Sequence, residues 1–457
     1  MLNTRALLLL AALTPLAWGD DYTALDRYVA APDSSYSYSL SRTIALPGLT
    51  AYQLDMVSQT WRTAAEVDRP VWHHWVTIFK PDQVTTATAM LYIDGGSNQS
   101  SPPNAPDATM TMLSAQSGAV VVELDQVPNE PLQFSDETQP RTEDAIIAYT
   151  WNKFLIGGDE QWPARLPMTK AAVRAMDTAI AFLAGLPGGA VQVKNFAVAG
   201  GSKRGWTTWT TAAVDPRVIA IAPIVIDTLN VEDVFMHQWE CYGYWAPAVQ
   251  DYVDAGIMNW LGTPRMDALM AIEDPYQYRE RLTLPKYLVS STGDQFFPPD
   301  DSQFYFSDLP GEKYLRYVPN TDHSMTSPDA YANLLEWFRS VTQNYPRPRF
   351  YWDTDRSQGT ITVRVIDAPT RVLLWQAANP NARDFRLQTI GPAWTSTTVS
   401  GQNGIYTVSV PQPAAGWTAF FVELDYPGPA APLVFTTEVV VTPDVLPFGP
   451  PPGVQVQ

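Results

Sequence analysis

The chain of 457 residues contains a single cysteine, Cys241, and only four histidines. One cysteine excludes an intramolecular disulfide, so packing alone must stabilise the chain, and Cys241 reads as a buried apolar side chain. Four histidines, with no His-x-His and no His-Glu-x-x-His, leave no residue set for a catalytic metal, and no cofactor is implied. His73 and His74 are neighbours in one apolar run and point to opposite faces, so they cannot share an ion. Positive charge is scarce. Twenty-nine lysines and arginines stand against 47 acids, a net charge of -18, which argues against nucleic acid and anionic membrane as partners. Past the first residues no apolar run is long enough to span a bilayer. What is abundant is apolar: 46% of the residues, enough for large cores in two or three domains.

The chain starts with Arg5, an apolar run from Ala6 to Leu13, Pro15, and then Ala17-Trp18-Gly19. This is the pattern of a secretory signal peptide over residues 1–19, which places the mature protein in the periplasm or outside the cell. Over residues 20–345, short apolar runs alternate with helical segments. Pro70–Phe79, Thr88–Ile93, Ala119–Leu124, Val193–Ala199, Val218–Ile226, Lys286–Ser290 and Tyr314–Val318 read as strands buried on both faces. Thr169–Leu186 and the segment opened by Ser327-Pro328-Asp329 carry helical stripes. The pattern predicts an α/β fold with a mostly parallel sheet. Residues 228–285 exceed an ordinary crossover and are rich in aromatics, which predicts a cap over the sheet's carboxyl edge. Trp239, Tyr242, Tyr244 and Trp245 are its candidate substrate-pocket residues. Beyond Tyr345 the helical pattern stops, and alternating runs such as Thr360–Val365 and Ile405–Val410 predict an immunoglobulin-like β-sandwich over residues 346–445 with its own core. The Pro/Gly-rich end, residues 446–457, predicts no packed structure.

The chemistry centres on Gly200-Gly201-Ser202-Lys203-Arg204-Gly205. Small residues around one serine at a strand-to-helix junction suit a nucleophile elbow, although a G-x-S-x-G motif would place glycine at Arg204. A serine needs a base, and His323 follows the last apolar strand of the α/β region. The acid should follow the preceding strand, at Asp294, with Asp227 as the reserve. The oxyanion hole needs two backbone donors, the Lys203 amide and one from Gly95-Gly96. Lys203 and Arg204 add positive charge beside a developing oxyanion. Arg141-Thr142-Glu143-Asp144 is either an amine-binding cluster or an acidic helix start. The substrate class is a small molecule or a peptide.

Ile93-Asp94-Gly95-Gly96-Ser97-Asn98, Gly201-Ser202-Lys203-Arg204-Gly205-Trp206-Thr207-Thr208-Trp209, Tyr242-Gly243-Tyr244-Trp245-Ala246-Pro247, Thr292-Gly293-Asp294-Gln295-Phe296-Phe297 and Pro319-Asn320-Thr321-Asp322-His323-Ser324 together resemble the PhoPQ-activated pathogenicity-related protein family. The resemblance implies an exported α/β-hydrolase-like protein with an immunoglobulin-like C-terminal module and, by the family's name, a link to virulence or envelope stress. The Ser-Lys-Arg-Gly spacing also resembles the elbow of glucuronoyl esterases. The reading is a serine hydrolase cleaving an ester or peptide bond. The alternative is a non-catalytic secreted signalling or virulence factor on the same scaffold.

Overall fold

The structure is a computed structural model that describes residues 22–187 and 189–454. The signal-peptide expectation therefore lies outside the described residues. Among the described residues nine strands precede Tyr345: β1 (Ser37–Leu46), β2 (Leu49–Thr60), β3 (Val71–Pro81), β4 (Thr88–Ile93), β5 (Val121–Leu124), β6 (Asn195–Gly201), β7 (Val218–Ile224), β8 (Lys286–Ser291) and β9 (Lys313–Val318). They pair in the order β1-β2-β3-β5-β4-β6-β7-β8-β9. The run from β5 to β9 is parallel. The first three strands and the β3–β5 junction are antiparallel. This mixed, mostly parallel sheet with helical crossovers is the α/β-hydrolase arrangement.

The strand run at Pro70–Phe79 is thus antiparallel to its neighbours, and the β1–β2 hairpin before it was not legible as strand. β1 is exposed along most of its length, so it carries no apolar stripe to announce it. In the parallel part every residue of β5 and β8 is buried, as helices on both faces require. Helices Arg165–Ala184 and Lys203–Val214 pack beside the central strands. In the second helix Thr207, Thr208 and Thr211 are buried, and each hydroxyl donates to the carbonyl one turn earlier. An apparently polar helix can therefore sit inside with the hydroxyls of these three threonines paired.

Eight more strands follow among the described residues: β10 (Phe350–Asp355), β11 (Thr360–Val365), β12 (Arg371–Asn379), β13 (Thr395–Thr398), β14 (Ile405–Ser409), β15 (Trp417–Tyr426), β16 (Leu433–Thr436) and β17 (Val440–Thr442). Only β10-β11-β14 form a sheet of their own. The others extend the central sheet through β9-β16-β15-β12-β13, with β17 paired to β15. The expectation of a sandwich with a separate core is thereby corrected: two sheets do face each other, but one of them is the hydrolase sheet. Tyr287 on β8 and Tyr314 on β9 pack on Phe435 of β16 at 5.6 and 4.3 Å between ring centres. Arg316 of β9 is buried against Glu423 of β15 at 2.7 Å. The described part of the C-terminal tail also packs, since the Phe448 amide donates to the Glu240 carbonyl of the cap. A change of residue pattern marks Tyr345, not a break in the core.

Candidate active site

β6 ends in Gly201 and the next helix begins at Lys203, so Ser202 sits alone in the turn with φ 56° and ψ -127°. Positive φ is rare for a non-glycine residue, and here it lifts the hydroxyl off the strand's end. The departure from G-x-S-x-G has a structural reason. Arg204 turns back under the elbow, and its guanidinium crosses the backbone of Gly95, where a Cβ would lie 2.5 Å from Nη2. Its Nη atoms donate to both Glu143 oxygens at 2.8 and 2.7 Å, and its Nε donates to the Val127 carbonyl. One arginine thus ties the loops after β4 and β5 and the helix Glu143–Leu155 to the elbow.

The three residues chosen as nucleophile, base and acid lie in one hydrogen-bonded row. Ser202 Oγ is 2.8 Å from His323 Nε2, and His323 Nδ1 is 2.8 and 3.0 Å from the two Asp294 oxygens. Asp294 also accepts from the Phe296 amide, and the His323 amide donates to Gln295 Oε1. The Phe296 ring lies 4.3 Å from the imidazole. The histidine is therefore held in position by the acid's own loop. Asp227 is elsewhere: buried, its oxygens accept from Tyr305 and Tyr317. Burial, with Asp294 and Asp300 close by, pushes its carboxyl up to about 7 against the two hydroxyl donors.

Lys203 and Arg204 do not lend free charge to the site. Lys203 Nζ bridges Glu143 at 2.6 Å and Asp144 at 3.0 Å, and Arg204 takes the rest of Glu143. The acids at this helix start are therefore neutralised, as an acidic helix start and not as an amine-binding cluster. The Gly95 amide donates to its own neighbour, Asp94 Oδ1, at 2.7 Å.

A cavity of about 40 Å³ adjoins Ser202, walled by Trp206, Phe235, Gln238, Tyr252, Phe296 and Phe297 among others. The cap is present as helices Val231–Tyr242, Gln250–Asp254 and Pro264–Glu273, but its four expected pocket residues do not line this cavity. Trp239 and Trp245 pack on each other at 5.0 Å, and Tyr242 lies 6.0 Å from Tyr244. Arg386, from beyond Tyr345, lies over the Tyr242 ring and donates to the Tyr244 hydroxyl. These aromatics hold the cap together and fasten it down. Phe235 and Tyr252, from the same aromatic insert, face the serine instead. Burial of several rings at once gave the sequence no way to rank them.

A second tie crosses the same junction. Arg383 donates to Asp300 at 2.6 Å, and His237 of the cap lies 3.1 Å from the other Asp300 oxygen. Cys241 lies 2.8 Å from Arg383 Nη1, and burial pushes its thiol up. Burial would raise the Asp300 carboxyl, but Arg383 and His237 outweigh it and hold the group well below the usual range. Arg383→Met leaves a buried carboxylate without its guanidinium. Urea unfolding near neutral pH should show a loss of about 3–5 kcal/mol, and a loss below about 1 kcal/mol would contradict this account.

The chain is 41% identical, over an alignment of 457 residues covering 93% of it and 92% of the relative, to the autocrine proliferation repressor protein A of Dictyostelium discoideum. It is 28% identical over 169 residues, 37% of this chain and 35% of the relative, to the acetyl esterase Axe7A of Xylanibacter ruminicola. Among solved structures it is similar to an acetyl xylan esterase from Paenibacillus sp. R4, with TM-score 0.48, 12% identity, and coverage of 70% of this chain and 91% of that one. Residues 25–386 match the PhoPQ-activated pathogenicity-related protein family. With that match over most of its length, the chain belongs to the PhoPQ-activated pathogenicity-related protein family.

Proposed function

We propose that the protein is an exported serine hydrolase that cleaves esters of short acyl groups. The observation that carries the reading is the Ser202–His323–Asp294 row opening beside a cavity of about 40 Å³. His323 Nε2 takes the proton as Ser202 Oγ attacks the acyl carbonyl, and Asp294 holds Nδ1–H and balances the imidazolium. The oxyanion meets the amides of Lys203, at the first turn of its helix, and Gly96. His323 then passes its proton to the leaving alcohol, and a water activated by the same nitrogen releases the acid from the acyl-enzyme.

A cavity of that size holds roughly three waters, about the bulk of an acetyl group. A peptidase that captures a free amine would need unpaired acids near the serine, and Glu143 and Asp144 are already matched by Lys203 and Arg204. Ester cleavage is therefore favoured over peptide cleavage. Export rests on the pattern of residues 1–19, and a link to pathogenicity rests on the family's name. The repressor relative gives the non-catalytic signalling alternative its one support, and turnover decides between them. The acetate ester of p-nitrophenol should be cleaved with kcat/KM about tenfold or more above the octanoate ester, with Phe235→Ala narrowing the gap. Equal rates on both esters, or faster cleavage of an aminoacyl anilide, would remove the short-acyl assignment.

A further inference from the structure

At the carboxyl ends of β4 and β5, three carboxylates converge on one face of the sheet. Tyr92 of β4 pairs with Glu123 of β5 and Ile93 with Leu124. In parallel strands at that register Asp94 comes beside Asp125, and side chains two residues apart share a face. Oxygens of Asp94, Glu123 and Asp125 accordingly all lie within 4.8 Å of one another. Glu123 is only 7% exposed, and among the described residues no hydrogen bond reaches its carboxylate or that of Asp125. Asp94, by contrast, is exposed and gives the cluster an opening to solvent.

A buried carboxylate without a donor or counter-charge is costly, and here the neighbours make it worse. The charge of Asp107, which caps helix Ala108–Ser117, also reaches the cluster. Burial, then Asp125, Asp107 and Asp94, push the Glu123 carboxyl up to about 9. Arg204 is the cation whose field reaches Asp94, but its guanidinium is engaged by Glu143 and Val127. No ion pair involves any of the three carboxylates among the described residues.

We propose that Asp94, Glu123 and Asp125 form a calcium-binding site. The donors are all hard oxygens, with no imidazole or thiolate among them, which suits calcium or magnesium rather than zinc. Magnesium is usually held by one or two carboxylates with several waters, whereas calcium takes about six to eight oxygens, so three converging carboxylates suit calcium. Water entering on the Asp94 side completes the shell. Asp94 Oδ1 also accepts the Gly95 amide at 2.7 Å, so the ion anchors the base of the Gly95–Gly96 loop. The site stands independently of the hydrolase reading.

The test is calorimetric titration of calcium into the EDTA-treated, dialysed full chain, with thermal melts alongside. One calcium per chain should bind with Kd of about 10⁻³ M or tighter. About 10 mM calcium should raise Tm by about 2–4 °C. Glu123→Gln should lose both responses while remaining no less stable than wild type without calcium, because an uncharged amide of the same shape replaces a buried carboxyl that has neither donor nor counter-charge. Asp94→Asn, at an exposed position, serves as the second variant should Glu123→Gln fail to fold. Absence of heat and of a Tm shift in the wild type would overturn the proposal. So would a full response retained in the variants, or tighter binding of zinc than of calcium.

Discussion

Ser202→Ala and His323→Ala should each lower kcat/KM on an acetyl ester by about 10³-fold or more, with the fold intact by circular dichroism. The loss is this large because the hydroxyl, the imidazole and the carboxylate act as one unit along the 2.8 Å contacts that join them. A fluorophosphonate probe should label the wild type and neither variant. Asp294→Asn keeps the shape, but its amide cannot accept from Nδ1–H in the same way, so it favours the wrong tautomer and should cost up to about 10⁴-fold. Asp227→Asn should leave turnover within about threefold of wild type, since that carboxyl meets only Tyr305 and Tyr317. Near wild-type turnover in Ser202→Ala would end the serine-hydrolase reading. The reverse ranking of the two aspartates would move the acid.

Ending the chain at Tyr345 should abolish labelling as well, against the sequence-based expectation of a sandwich with its own core. The cut strips β16 from the edge of β9 and bares the Tyr287 and Tyr314 rings that pack on Phe435. It also removes direct supports of the catalytic loops. The Leu387 amide donates to the Gly293 carbonyl, next to Asp294. Asn320, three residues before His323, exchanges two hydrogen bonds of 2.9 Å with the Trp394 backbone. An insoluble truncation is the expected result, and Asn320→Gly supplies a readout that survives it. Glycine keeps the φ of 58° found at Asn320 at no steric cost and deletes only the side-chain bonds, so stability should fall by about 1–3 kcal/mol and labelling should slow. A soluble truncation that labels at the wild-type rate would show that the C-terminal strands do not support the site.

The elements that carry chemistry were legible because each comes directly after an apolar strand of the parallel sheet. Strands buried on both faces are unbroken apolar runs, and the residues past their carboxyl ends must leave the sheet as loops. Ser202, Asp294 and His323 each stand at such a place, and their order along the chain matched one arrangement. The cap was legible as an insertion, by length and aromatic content. Which of its rings face the serine was not, because Phe235 and Trp239 lie one helical turn apart and both are apolar.

The sequence by itself determined the α/β pattern, the junctions where polar residues emerge from the sheet, and the serine, histidine and acid found there. Those are local properties: a run of buried residues, a turn, a hydroxyl in a tight elbow. Only the tertiary structure decided that β9 continues into β16, and that Arg204 runs under Gly95 to Glu143. It alone decided that Arg383 and Leu387 support the cap and the Asp294 loop from beyond Tyr345. An edge strand's partner and a charged side chain's counter-ion are chosen among residues far apart in the chain. Periodicity and spacing describe near neighbours, so they carry no record of those choices.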